Sequence, residues 1–169
     1  MHPHPTPPLD LVVAAASDED AGELLTLQRA AYVSEARTYA DPELPALTQT
    51  LCELRVELAS VSALKVVVGH RMVGAVRGRV DGSVLHVGRL VVAPDRQGEG
   101  IGSRLLGAIE DLHRGTVDTA TLFTGHLSTA NLAMYARRGY REQRREELRS
   151  GVVLVHLSKC LRTGRGPAR

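Results

Sequence analysis

The chain contains no tryptophan, a single phenylalanine (Phe123) and four tyrosines among 169 residues. A protein that holds single-stranded nucleic acid needs aromatic platforms beside a basic stripe, and the platforms are missing here. Lysine is nearly absent as well: Lys65 and Lys159 are the only two, so arginine carries almost all of the positive charge, and the net charge is only +2. The one basic concentration, Arg137, Arg138, Arg141, Arg144, Arg145 and Arg149, is interleaved with Glu142, Glu146 and Glu147, which reads as a solvated face. No apolar run approaches the roughly 18 residues that span a bilayer. The two cysteines, Cys52 and Cys160, are far apart and lack metal-ligand spacing, so neither a disulfide framework nor a zinc site is expected, and each reads as a small buried hydrophobe. No cysteine- or serine-nucleophile signature is present. These absences leave a soluble globular protein of a reducing cytoplasm, with no metal, no nucleic acid and no membrane as partner. The abundance of Ala, Gly and Arg fits a GC-rich bacterial genome.

The length suits one domain. Residues 1–8, with four prolines, read as an unstructured leader, residues 9–160 as the domain and residues 161–169 as an unstructured tail. Leu11–Ala15 reads as a strand. The acidic Ser17–Asp20 opens a helix to about Tyr32, where acids complement the helix dipole. After Asp41-Pro42 and Leu44-Pro45, Thr48 is positioned to cap a second helix with Leu51, Leu54 and Leu58 on its apolar side. The period then changes to two. Leu64–Val68, Met72–Val80 and Val84–Ala93 form an antiparallel meander whose second turn is Asp81-Gly82. A helix over Ser103–Arg114, a strand over Thr119–Thr124, a helix capped by Ser128 to about Arg137, and strands over Tyr140–Leu148 and Val152–Leu157 complete the order. This is an α/β (α+β) arrangement on one mixed, mostly antiparallel sheet of about seven strands with four helices.

The informative stretch is Leu90 to Ser103, where a strand enters a glycine-rich loop and the loop opens a helix. Such a junction binds anions: unpaired N–H groups and the positive end of the helix dipole converge there, and glycines let a phosphate approach the backbone. The phosphate ligand can be narrowed. A P-loop needs a lysine that this loop lacks, and the G-x-G-x-x-G dinucleotide pattern fails because Ser103 and Leu105 stand where its last glycine would be.

Gln97-x-x-Gly100-x-Gly102, preceded by Leu90-x-Val92-x-Pro94, resembles the acetyl-CoA motif Q/R-x-x-G-x-G/A of the GNAT N-acetyltransferase superfamily. Ser128 to Tyr140 is similar to that family's second hallmark, a helix bearing N-x-x-x-Y that ends in G-F/Y. Here the pair is Asn131 and Tyr135 on one helix face, followed by Gly139-Tyr140; Ser128 stands where many members place a further Asn. The resemblance spans Leu64–Val155. It implies a single GNAT domain whose fourth and fifth strands splay into a V. Leu90, Val91 and Val92 would offer backbone groups to the pantetheine and the thioester carbonyl. Gln97, Gly98, Glu99, Gly100, Ile101, Gly102 and Ser103 would hold the pyrophosphate, with Asn131 on the same arm.

The implied chemistry is direct attack of a primary amine on acetyl-CoA, with Tyr135 as the general acid that protonates the departing thiolate. His86 is the first candidate for a base, read by period two as sharing a face with Val84, Leu90 and Val92. Glu35, Glu53 and His126 are further candidates, and Tyr32 and Tyr39 are expected to shape the acceptor pocket. The acceptor can be a small amine or antibiotic, a protein N-terminus or a lysine; Asp41, Glu43, Glu53 and Glu57 could serve an aminoglycoside pocket. The alternative is a non-catalytic acyl-CoA sensor on the same fold. Val152–Leu157 has the apolarity either of a homodimer interface or of an internal strand.

Overall fold

The structure, a computed structural model, describes residues 11–162. The Pro-rich leader and residues 163–169 of the expected tail lie outside the described residues. Leu161 lies inside the fold: it is buried, and its N–H donates to Asp118 O at 2.8 Å.

The described residues form seven strands: β1 (Val12–Ala15), β2 (Ser62–Val68), β3 (Arg71–Asp81), β4 (Val84–Val92), β5 (Thr119–Gly125), β6 (Arg141–Arg149) and β7 (Val152–Cys160). They form one sheet in the order β1-β2-β3-β4-β5-β7-β6, antiparallel throughout except where β4 meets β5. β7 therefore lies between β5 and β6 as an internal strand, with both its backbone edges paired.

Among the described residues, five helices flank the sheet: α1 (Ala21–Tyr39), α2 (Pro45–Thr48), α3 (Leu51–Leu58), α4 (Ile101–Leu112) and α5 (Thr129–Arg137). Every residue of β3 from Met72 to Gly78 is buried, as expected of a strand covered on both faces. On one face, α4 packs Ile101, Leu105 and Ile109 against the sheet. Gly74 makes this approach feasible, because a Cβ there would sit 2.7 Å from Ile101 Cγ2. On the other face, buried Arg77 of β3 donates to Glu57 of α3 at 2.7 Å and to Gln28 of α1, and Gln28 Nε2 donates to Ala46 O of α2 at 2.8 Å. One polar cluster thus fixes three helices to β3.

Three helical expectations need correction. The first helix does not stop near Tyr32. Val33 to Tyr39 contains no breaker, and the helix ends two turns later at Ala40, whose φ of 50° is left-handed and whose N–H closes on Ala36 O. Those two turns carry Glu35 and Tyr39. α2 occupies a stretch read as a break. The cap of α3 is Thr50, not Thr48: Thr50 Oγ1 accepts from Glu53 N–H at 3.2 Å, and Glu53 Oε2 accepts from Thr50 N–H at 2.7 Å. This reciprocal box satisfies two helix-end donors. Thr50→Ala is expected to cost about 1 kcal/mol, lowering Tm by about 2–4 °C with ligand binding unchanged, as thermal unfolding would measure. Cys52 and Cys160 are free and exposed, not buried. Among the described residues, no helix is long and apolar enough to cross a membrane.

Candidate active site

β4 and β5 pair only at Val84–His86 with Thr119–Thr121. Beyond that point β4 follows β3 as far as Val92 opposite Gly74, while β5 follows β7 as far as Gly125 opposite Leu154. The edges that face one another across the gap have no strand partner, and the sheet opens as a V. The divergence coincides with a bulge in β4. Gly88 lies opposite Arg77 and Val91 opposite Ala75, so β4 spends one residue more than β3 over this interval. Arg89 takes up the excess with a φ of 49°.

The bulge reverses the side-chain parity of β4. Val87 and Val92 lie across from Gly78 and Gly74 on the α4 face, whereas Gly88 and Val91 share the α1 face with Arg77 and Ala75. His86, opposite Arg79, therefore shares a face with Val84, Gly88 and Val91, and not with Leu90 and Val92 as an unbroken period implied. It sits at the last paired position of the V, its Nδ1 3.0 Å from Thr121 Oγ1, and it is not among the residues lining the open part.

That open part is a cleft of about 660 Å³. Its walls include Leu90, Val91 and Val92 from β4, the loop residues Gln97, Gly98, Gly100, Ile101, Gly102 and Ser103, and Asn131 and Tyr135 from α5. Glu99 is held outside by Arg96, whose Nη2 lies 2.8 Å from Glu99 Oε2. A shallower surface hollow near Pro45, Thr48, Gln49 and Glu53 has no converging reactive groups.

The glycine loop has the form an anion requires. Gly98 and Gly100 adopt φ of 83° and 80°, and the space a Cβ would enter is open at both. The first bond of α4 is Arg104 N–H to Gly100 O, at 3.0 Å. Among the described residues, no backbone N–H from Gln97 to Ser103 donates to another backbone group, and no side chain caps the helix. A row of free donors at the start of a twelve-residue helix matches the oxygens of a pyrophosphate. Arg71 bonds Asp95 through two contacts of 2.7 Å, which pull the Asp95 carboxyl down to about 2, and a Cβ at Gly102 would lie 3.4 Å from Met134 Sδ of α5.

Tyr135 is 7% exposed, with its ring 6.0 Å from that of Tyr140. Burial pushes its phenol well above the usual tyrosine value, and the neighbouring Tyr32 and Glu35 add to the shift. The hydroxyl thus keeps its proton at any physiological pH. Opposite, Glu35 is half-buried on the cleft wall and its Oε1 accepts from Ser128 Oγ at 2.7 Å. Ser128 occupies the N-cap position of α5, but its side chain bonds Glu35 and caps no backbone group. The bond fixes a carboxylate of α1 at the head of the helix that bears Tyr135.

The other candidates lie elsewhere. Glu53 is consumed by the α3 cap, and the Thr50 N–H and hydroxyl hold its carboxyl below the ordinary glutamate range. His126 is clipped to β7, its Nδ1 accepting from Val153 N–H at 3.3 Å. Tyr39 is not among the residues lining the cleft but packs behind two that are: Leu127 N–H donates to its hydroxyl at 2.8 Å, and its ring lies where a Cβ of residue 125 would be. Two features were not anticipated. The Glu35–Ser128 bond joins residues 93 apart, which no local pattern encodes. Arg89 lines the cleft, with its guanidinium 5.9 Å from the centre of the Tyr32 ring; Gly88 beside it was the available sign of a bulge.

The site is thus a splayed strand pair beside a glycine loop that opens a helix. The sequence profile described as "Acetyltransferase (GNAT) domain" matches residues 36–161. The chain belongs to this acetyltransferase family. The ribosomal-protein-S18-alanine N-acetyltransferase of Escherichia coli is similar in structure, with TM-score 0.77 and 14% identity, covering 94% of this chain and 99% of that one. A GNAT-family acetyltransferase of Streptococcus pneumoniae has TM-score 0.75 and 16% identity, covering 90% and 99%. The PaiA N-acetyltransferase of Thermoplasma acidophilum, solved in complex with coenzyme A, has TM-score 0.69 and 13% identity, covering 87% and 98%. A search of curated proteins by sequence finds no match.

Proposed function

We propose that the protein transfers an acetyl group from acetyl-CoA to a primary amine by direct attack. The reading rests above all on one observation: Glu35 and Tyr135 converge on the cleft that the free N–H groups of the glycine loop also line. Acetyl-CoA supplies the activated acyl carbonyl and a thiol leaving group. The loop residues Gln97–Ser103 hold the pyrophosphate, and the unpaired β4 edge at Leu90–Val92 aligns the arm. Asn131 borders the same arm. Glu35 Oε accepts the proton that the amine must lose; its cleft-facing position favours it over His86, which is bonded to Thr121 at the closed end. Tyr135 keeps a proton at its hydroxyl for the departing sulfur.

The test is free-thiol release from acetyl-CoA across a panel of aminoglycosides, polyamines, amino acids, N-terminal peptides and lysine peptides. Release with one class is expected. Glu35→Gln should lower kcat about a hundredfold, with part of the loss recovered at high pH as the free amine deprotonates without help. Tight acetyl-CoA binding without release for any amine would turn the reading to an acyl-CoA sensor.

A further inference from the structure

The acceptor side of the cleft carries one charge of each sign, and they do not pair with each other. Glu35 has Ser128 as its partner. Arg89, half-buried on the same wall, makes no hydrogen bond or ion pair among the described residues; its one recorded contact is with the face of Tyr32. The other arginines nearby are either occupied or remote. Arg77, close enough to sense the charge of Arg89, is neutralised by Glu57 and bonded to Gln28. Arg96 belongs to the loop and pairs with Glu99. Arg137 also borders the cleft, but it is exposed and lies at the far end of α5 from the Glu35–Ser128 bond.

The backbone at Arg89 strengthens the case. Its φ of 49° is left-handed, a conformation that costs a side chain about 1–2 kcal/mol and that glycine adopts freely. The bulge alone would be better served by glycine. An arginine kept there, without an internal counter-ion and aimed into a cleft, has an external anion as its natural partner. Spacing then limits the ligand. Tyr32 and Glu35 are three residues apart on α1, so they are neighbours on one helix face, and Arg89, whose guanidinium lies over Tyr32, lines the same cleft as Glu35.

We infer that the acceptor is a short zwitterion, an amino acid or close homologue, whose carboxylate is bound by Arg89 and whose ammonium is received by Glu35. The inference rests on the acetyltransferase reading above and narrows its substrate. The reaction balances: the ammonium gives one proton through Glu35 to solvent, the free amine forms the amide bond as the thioester C–S bond breaks, and the second proton lost by nitrogen replaces the one that Tyr135 gives the departing thiolate. The carboxylate remains unreacted.

The test is calorimetric titration of the CoA-loaded protein with N-acetylated α-, β- and γ-amino acids and with their primary amides, which bind without turnover. At least one acid is expected to bind about ten- to a hundredfold tighter than its amide. Arg89→Gln should abolish that difference while leaving amide affinity unchanged. Arg89→Gly should abolish it too, with Tm held or raised because the left-handed backbone is relieved. Equal affinity of acid and amide in the native protein, or a preference that survives Arg89→Gln, would overturn the inference. Thiol release with amines that bear no acid, alongside equal acid and amide affinities, would remove the zwitterion and leave the acetyltransferase standing. CoA that fails to load would sink both.

Discussion

Gly100→Glu is expected to weaken acetyl-CoA binding at least a hundredfold while the protein remains folded. The two effects separate because of what surrounds the residue. A Cβ at position 100 enters open space, so no packed atom is displaced. The φ of 80° does strain any side chain, by about 1–2 kcal/mol, and for a domain of this size that lowers Tm by roughly 2–8 °C. Binding suffers far more. The open space is where the pyrophosphate is expected, and a carboxylate about 4 Å from one phosphate charge is repelled by about 4 kcal/mol at an effective dielectric near 20. The loop already holds one acid, Glu99, but Arg96 neutralises it; a glutamate at 100 gains no comparable partner. Gly100→Ala separates strain from charge: it should show the same fall in Tm with a much smaller loss of affinity. Calorimetric titration with acetyl-CoA measures one effect and thermal unfolding the other.

The glycine loop was legible because its signal is local. Three glycines alternate where a strand meets a helix, and two of them, Gly98 and Gly100, adopt left-handed backbone as the pattern requires. The meander was legible for the same reason, although its second turn is Gly82-Ser83, between the paired Asp81 and Val84, and not Asp81-Gly82. Errors arose where one residue shifts a register. Period-two counting carried His86 onto the face of Val92, and a single bulge residue, Arg89, inverts that relation. The helix cap was set at Thr48, although Thr50-x-x-Glu53 satisfies the reciprocal box and Thr48, three residues before Leu51, does not. The contacts that assemble the acceptor side, Glu35 with Ser128 and Arg89 with Tyr32, link residues 93 and 57 apart. Only the packing of α1 and α5 around the split sheet creates them. The sequence signature thus covers the glycine-loop end of the cleft, while the end that holds Glu35 and Arg89 depends on tertiary placement.

Tyr135→Phe is expected to lower kcat by about a hundred- to ten-thousandfold with acetyl-CoA affinity nearly unchanged. The substitution removes one oxygen from a ring that is 7% exposed and packed against Tyr140, so the shape of the core is kept and Tm should move little. The rate loss follows from the leaving group. A thiolate must depart into a cleft whose walls are largely apolar, and the phenol is the group on α5 suited to protonate it. The pH profile supplies an independent check. A tyrosine with its ordinary pKa of about 10 would begin to lose its proton, and its function as an acid, as the pH approached that value. Burial and the neighbouring Tyr32 and Glu35 raise the folded value of Tyr135, so the protonated, active form persists above that point. In the native enzyme the rate should rise with pH as the amine deprotonates and show no descending limb below pH of about 10. A descending limb near pH 8 or 9, or a Tyr135→Phe enzyme with undiminished kcat, would assign the proton of the leaving thiol to solvent and leave Tyr135 a packing role.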